Sequence, residues 1–111
     1  MGQILDEYAI NITEKAVQDL EEIASYISCI LKNPQAADAI LGDMDSAIKG
    51  LAVFPQKHPV VSYSCLQEMG IRFVSVRKYI VFYRIIENKM SVEILRILYG
   101  RRSMFKVLLG E

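Results

Sequence analysis

Tryptophan is absent, histidine occurs once, and two cysteines and three prolines are scattered over 111 residues. Each scarcity closes a class of function. With His58 alone, Cys29 and Cys65 far apart, and no acidic pair at ligand-like spacing on the predicted strands, no metal centre is expected. Two cysteines do not make a disulfide framework, and both thiols are expected to be reduced and buried. The six glycines form none of the phosphate-binding fingerprints, so nucleotide chemistry and a cofactor are not expected either. A Ser or Cys nucleophile would have to rely on His58, whose Pro-flanked loop is a setting in which histidine is normally solvated. No apolar run approaches the roughly 20 residues of a membrane span, and the start MGQILDEYAI lacks the basic and apolar regions of a secretory signal. The expectation is a soluble, cytoplasmic protein with no membrane partner.

What is present is apolar bulk and an uneven distribution of charge. At 52% hydrophobic residues the chain can bury a core without staples, which predicts one domain over residues 1–111. Residues 1–70 hold four lysines and ten acidic residues, whereas residues 71–111 hold nine Lys or Arg and three Glu, so a net charge of zero hides two opposed halves. That split predicts an acidic face and a basic face, the second suited to an anionic partner.

Periodicity orders the elements. Glu7 to Ile12 alternates as a strand, with Tyr8, Ile10 and Ile12 on one side. Thr13 is a suitable N-cap, Glu14 complements the helix dipole, and Leu20, Ile23, Ile27 and Ile30 form the apolar stripe of a helix. The opposite face carries Gln18, Asp19, Glu21, Glu22 and Ser25 and is expected to be solvated. Asn33-Pro34 ends that helix and starts a second one to about Val53, with Ala37, Ile40, Leu41, Met44, Ala47, Ile48 and Leu51 on its apolar face. A Pro-containing loop to Gly70 is long enough to be a functional suspect. Strands follow at about Ile71–Arg77, Tyr79–Ile86 and Ser91–Tyr99, the last two joined by a hairpin-length link, and residues 101–109 suit a short terminal helical turn. The predicted class is α+β in the order β-α-α-β-β-β, with a helical hairpin on one face of a small curved, mostly antiparallel sheet. Strict alternation makes both faces of the last two strands apolar, so a partner is expected to cover what the helices leave open.

The chemistry on offer is arginine and tyrosine. Arg72, Arg77, Lys78, Arg84, Arg96, Arg101 and Arg102 can bind phosphate, and Tyr79, Tyr83 and Tyr99 can stack or donate hydrogen bonds. Each taken singly is ordinarily a solvated residue with a buried stem, but seven cations on one sheet call for a compensating anion or acidic partner.

In this order the motifs resemble the RelE/ParE superfamily, the toxins of bacterial type II toxin-antitoxin modules, known also as plasmid stabilisation proteins. The resemblance rests on Tyr8-Ala9-Ile10-Asn11-Ile12-Thr13 leading into Ala16 to Ile27, Asn33-Pro34 with Ala36-Ala37, and Leu51 with Phe54-Pro55. It continues through Gly70-Ile71-Arg72, the run from Tyr79 to Arg84, and the run from Val92 to Arg102. It implies a growth-inhibiting toxin held inactive by a cognate antitoxin that wraps it, with DNA contacted only indirectly through that antitoxin. One branch of the family cuts mRNA on the ribosome, and the other poisons DNA gyrase. The cutting branch is strongly basic, lysine-rich ahead of its second strand, and carries a tyrosine near its C-terminus. Here the net charge is zero, residues 55–70 hold only Lys57, and Phe105 stands in the tail with no tyrosine after Tyr99. The expectation is therefore gyrase inhibition, with Arg72, Arg77, Lys78, Tyr83, Arg96, Arg101 and Arg102 as target contacts. A ribosome-dependent, metal-independent endonuclease is the alternative, with Arg72, Arg96, Tyr99 and Arg102 as its catalytic candidates. A non-toxic module that only binds antitoxin is a further one.

Overall fold

The computed structural model describes residues 7–62 and 64–100. The predicted terminal turn and Arg101-Arg102 lie outside these residues. The chain opens with strand β1 (Ala9–Ile12), followed without a loop by helix α1 (Glu14–Ser25). Thr13 is the N-cap as expected: its Oγ1 accepts from the Ala16 N–H at 3.3 Å and points its own hydrogen at the carbonyls of Ile94 (2.9 Å) and Leu95 (3.2 Å). One hydroxyl thus starts the helix and fixes it to the sheet.

Helix α1 runs on into a π-helical turn over Tyr26–Ile30, closed by Leu31 N–H to the Tyr26 carbonyl at 3.0 Å. The extra residue in that turn shifts the phase of the apolar stripe. Ile27 stays buried, but Ile30, expected in the stripe, is 65% exposed. Asn33 then caps helix α2 (Pro34–Gly50), its Oδ1 accepting from the Ala36 N–H at 3.1 Å with Pro34 in the first turn. Ala37, Met44, Ile48 and Leu51 are buried along the predicted face.

The sheet has the order β1-β4-β3-β2, with β2 (Arg72–Val76), β3 (Tyr79–Ile86) and β4 (Ser91–Tyr99) antiparallel in sequence and β1 parallel to β4. The α+β architecture therefore matches the expectation. One face packs on the helices through Val81, Tyr83, Val92, Ile94 and Ile97, together with Ala16, Met44, Ile48 and Leu51.

The other face differs from expectation in what covers it. Residues 55–70 contain a 3-10 turn at Pro55–Lys57 and a short helix α3 (Ser64–Glu68), and they are not simply an open loop. Val61, Leu66 and Ile71 pack with Ile80 and Phe82 into a second buried cluster, flanked by Phe73, Leu95 and Leu98. This segment is held by Val61 N–H to the Ile71 carbonyl (2.7 Å) and Phe73 N–H to the Pro59 carbonyl (3.2 Å), along the outer edge of β2. A sheet face that looked open in the sequence is closed by the chain itself.

Strict alternation also fails on β4. Phe82 lies opposite Arg96 while Tyr83 lies opposite Ile94, which leaves Leu95 as the extra residue of a bulge. Val92, Ile94 and Ile97 consequently share the helix-side core, whereas Leu95 and Leu98 belong to the other cluster. Both cysteines are free, and both are exposed, not buried as their apolar character suggested.

Candidate functional site

Between the helical hairpin and one end of the sheet lies a groove of about 1060 Å³. The C-terminal half of α1 and the π-helical turn supply Asp19, Glu22, Ile23, Tyr26 and Ile27, and the start of α2 supplies Ala36 and Ile40. The β2–β3 turn supplies Arg77, Lys78 and Tyr79, and the end of β4 supplies Arg96, Ile97, Leu98 and Tyr99. Its rim is apolar and accessible, with Tyr26 54%, Leu31 56% and Tyr99 63% exposed. Tyr79 and Tyr99 meet edge to face, their ring centroids 5.3 Å apart. Burial, then the neighbouring Tyr99 and Tyr26, push the Tyr79 hydroxyl pKa up, so this ring is a neutral donor at ordinary pH.

The floor of the groove is polar in one place. Asp19, assigned to the solvated face by helical periodicity, is 6% exposed and accepts three hydrogen bonds. Arg96 Nε and Nη2 donate to its two carboxylate oxygens, each at 2.8 Å, and Ile97 N–H donates at 2.9 Å. The pairing of β1 with β4 ends at Ile94, so Asp19 of the following helix meets the Ile97 N–H beyond the end of that strand. Hydrogen bonding to Asp19 raises the Arg96 pKa above its already high ordinary value, so the guanidinium is permanently charged and held on one partner.

Arg77 and Lys78 form the basic lip. Arg77 occupies the left-handed region (φ 56°) of the β2–β3 turn, and its Nε donates to Asp43 of α2 at 2.7 Å. Lys78 is exposed and makes no ion pair among the described residues.

The structure thus gathers Arg77, Lys78, Arg96 and Tyr99 at one groove and places Arg72 and Tyr83 elsewhere. Arg72 Nη1 donates to the backbone carbonyls of Gln56 (3.1 Å) and His58 (2.6 Å). Tyr83, expected among target contacts, is a core ring with no exposed surface, and its hydroxyl donates to the Pro55 carbonyl at 2.6 Å. Burial pushes its pKa up to about 12. Arg84 pairs across the strands with Glu93 at 2.8 Å. The sheet cations are therefore largely answered from within, and the acidic first part of the chain supplies two of the answers, Asp19 and Asp43. Separate acidic and basic faces do not form at these positions.

At the far end of β3, Tyr8 Oη donates to Glu87 Oε1 (2.9 Å), and Gln56 Nε2 donates to both Tyr8 Oη (2.8 Å) and Glu87 Oε2 (3.1 Å). The bonds from Gln56 and then Tyr8 hold the Glu87 carboxyl below its usual range, and the bond to Glu87 raises the Tyr8 hydroxyl pKa. Among the described residues no group of three or more His, Cys, Asp or Glu could hold a metal ion. No helix among them is long and apolar enough to cross a membrane.

A family model described as the ParE toxin of the type II toxin-antitoxin system parDE matches residues 10–104. No curated protein matches the sequence significantly. Among solved structures, a chain of the chromosomal ParDE TA system from P. aeruginosa superposes with a TM-score of 0.69 at 19% identity, covering 86% of this chain and 99% of that one. A chain of the toxin-antitoxin complex RelBE2 from Mycobacterium tuberculosis gives 0.62 at 19% identity, covering 91% and 100%. At such identity these likenesses establish the fold.

Proposed function

This chain belongs to the ParE toxin family of type II toxin-antitoxin systems, and from that premise we propose that it inhibits DNA gyrase by binding, without cutting RNA. The observation that carries this reading is the engagement of Arg96 by Asp19. Metal-free RNA cleavage needs a base for the 2′-OH, a free cation for the phosphate and an acid for the leaving oxygen. Of the nuclease candidates, Arg96 is bound bidentately by a buried carboxylate and Arg72 Nη1 is directed at two carbonyls. Among the described candidates only Tyr99 is openly exposed, and an arginine already neutralised by a carboxylate is a poor phosphate clamp.

The cognate antitoxin is the partner expected at the groove. Both solved relatives come from toxin-antitoxin systems, and an apolar trough with Tyr26, Leu31 and Tyr99 exposed beside Arg77 and Lys78 suits an amphipathic segment bearing acidic residues. Lys78 and Arg77, with Arg101 and Arg102 beyond the described residues, remain the proposed cationic contacts to the target. The deciding experiment adds purified protein to a gyrase supercoiling reaction and, in parallel, to ribosomes programmed with mRNA. Inhibited supercoiling with intact mRNA is expected, and cleaved mRNA with unaffected supercoiling would overturn the proposal in favour of the nuclease.

A further inference from the structure

Among the described residues four non-glycine positions have left-handed backbone, and Phe54 is the aromatic one of the four (φ 57°, ψ 57°). An L-residue in this region carries a steric penalty that glycine does not, and a position before proline is restricted further. The neighbouring chain explains the conformation. Leu51 and Pro55 are both fully buried, the Pro55 carbonyl accepts from Tyr83 Oη at 2.6 Å, and the Phe54 carbonyl accepts from the Lys57 N–H at 3.2 Å. The turn between two buried anchors thus dictates the backbone at residue 54, yet the ring gains little from the fold, being 68% exposed. Val53 beside it is 38% exposed. Met90, also left-handed (φ 47°), is 37% exposed at the same end, where Tyr8 N–H reaches the Ala52 carbonyl and Ala9 N–H the Met90 carbonyl, both at 2.9 Å.

From this we infer that Phe54 is an aromatic anchor for a protein partner other than the antitoxin, and, resting on the reading above, that this partner is the toxin's target. Strain retained at a bulky exposed residue is characteristic of contact sites, and aromatic anchors dominate protein interfaces. The surroundings favour protein over nucleic acid. Glu87, held ionised by Gln56 and Tyr8, feels the charge of Arg72, and the exposed Lys57 and Lys89 lie in the adjoining turns, so this end carries both signs and is not uniformly basic. Strand β3 separates this end from the groove by eight residues, roughly 25 Å at strand rise, so a segment seated beside Tyr79 leaves Phe54 free.

The test is Phe54→Gly, which relieves the backbone and removes the ring, with Phe54→Leu as its companion. Each is induced without antitoxin in growing cells, and each purified chain is assayed for melting temperature and antitoxin affinity. Phe54→Gly should melt no lower than the unaltered chain, bind antitoxin equally, and require about tenfold or more protein for the same growth arrest. Phe54→Leu should retain most of the arrest, because a protein pocket accepts an aliphatic side chain. Undiminished arrest by Phe54→Gly would overturn the inference, as would a lower melting temperature or weakened antitoxin binding. Loss in Phe54→Leu equal to that in Phe54→Gly would indicate stacking on a nucleic-acid base and overturn the protein partner. Absence of arrest by the unaltered chain would instead overturn the toxin reading, and this inference with it.

Discussion

Asp19 shows how much one side chain decides in this protein. Its carboxylate closes the floor of the groove, holds the guanidinium that would otherwise be free for phosphate, and satisfies the backbone at the β4 bulge. Removing one partner of a buried pair leaves the other charge uncompensated. Asp19→Ala is therefore expected to lower unfolding free energy by about 3 kcal/mol, read from urea denaturation. A loss within a few tenths would mean that Arg96 finds solvent easily. His58 gives a pH dependence of definite sign. Burial, then the neighbouring Lys57, lowers its pKa in the folded chain below the ordinary 6.5. The unfolded chain then binds the proton more readily, so the stability linked to this group is complete above pH of about 6.5 and declines as pH falls through the folded value. Melting temperatures between pH 5.5 and 7.5 should rise with pH in the unaltered chain and rise less in His58→Gln; equal slopes would refute the assignment, since this is the only histidine.

Among the elements, the junction of β1 and α1 is the most economical. Thr13 leaves the strand, caps the helix and ties it to β4 within a single residue. Thr13→Ala should cost about 1–2 kcal/mol, the upper part of the usual range for a lost cap, because the bond to Ile94 goes with it. A denaturant midpoint unchanged by that substitution would show the cap to be incidental. Caps and alternation depend on neighbours in sequence, which is why Thr13, Asn33-Pro34 and the parity of β3 were legible without the structure. The β4 bulge was not. Leu95 is extra only relative to the partner strand, where Phe82 and Tyr83 meet Arg96 and Ile94, and no local pattern announces it. The π-helical turn at Tyr26–Ile30 is similarly silent, and it sends Ile30 outward from a stripe that periodicity had continued.

For the whole molecule, the proposed seat of the antitoxin is the groove, and the proposed Phe54 anchor lies at the other end of β3. A partner that binds only the folded chain stabilises it by mass action, by about 2.7 kcal/mol at a hundredfold excess over its Kd. Cognate antitoxin should accordingly raise the melting temperature by several degrees, and Tyr26→Ala with Leu31→Ala should diminish that shift while leaving the free chain's own melting nearly unchanged, both side chains being more than half exposed. A shift that survives both substitutions would place the antitoxin elsewhere.

By itself the sequence determined the order of the four strands and the two long helices, the α+β class and the two apolar faces of β3, because each follows from spacing along the chain, and its motifs carried the resemblance to the family. Tertiary structure alone decided which polar groups are free. Asp19 looks solvated on its helix and becomes buried only when the bulged strand brings Arg96 and the Ile97 amide against it. Tyr83 looks available on its strand and is buried once Pro55 lies over its hydroxyl. The second sheet face looks open until Val61, Leu66 and Ile71 fold back across it. In each case the deciding contact joins residues distant in sequence, and the free energy of burying or pairing a group depends on that neighbour and not on the local pattern.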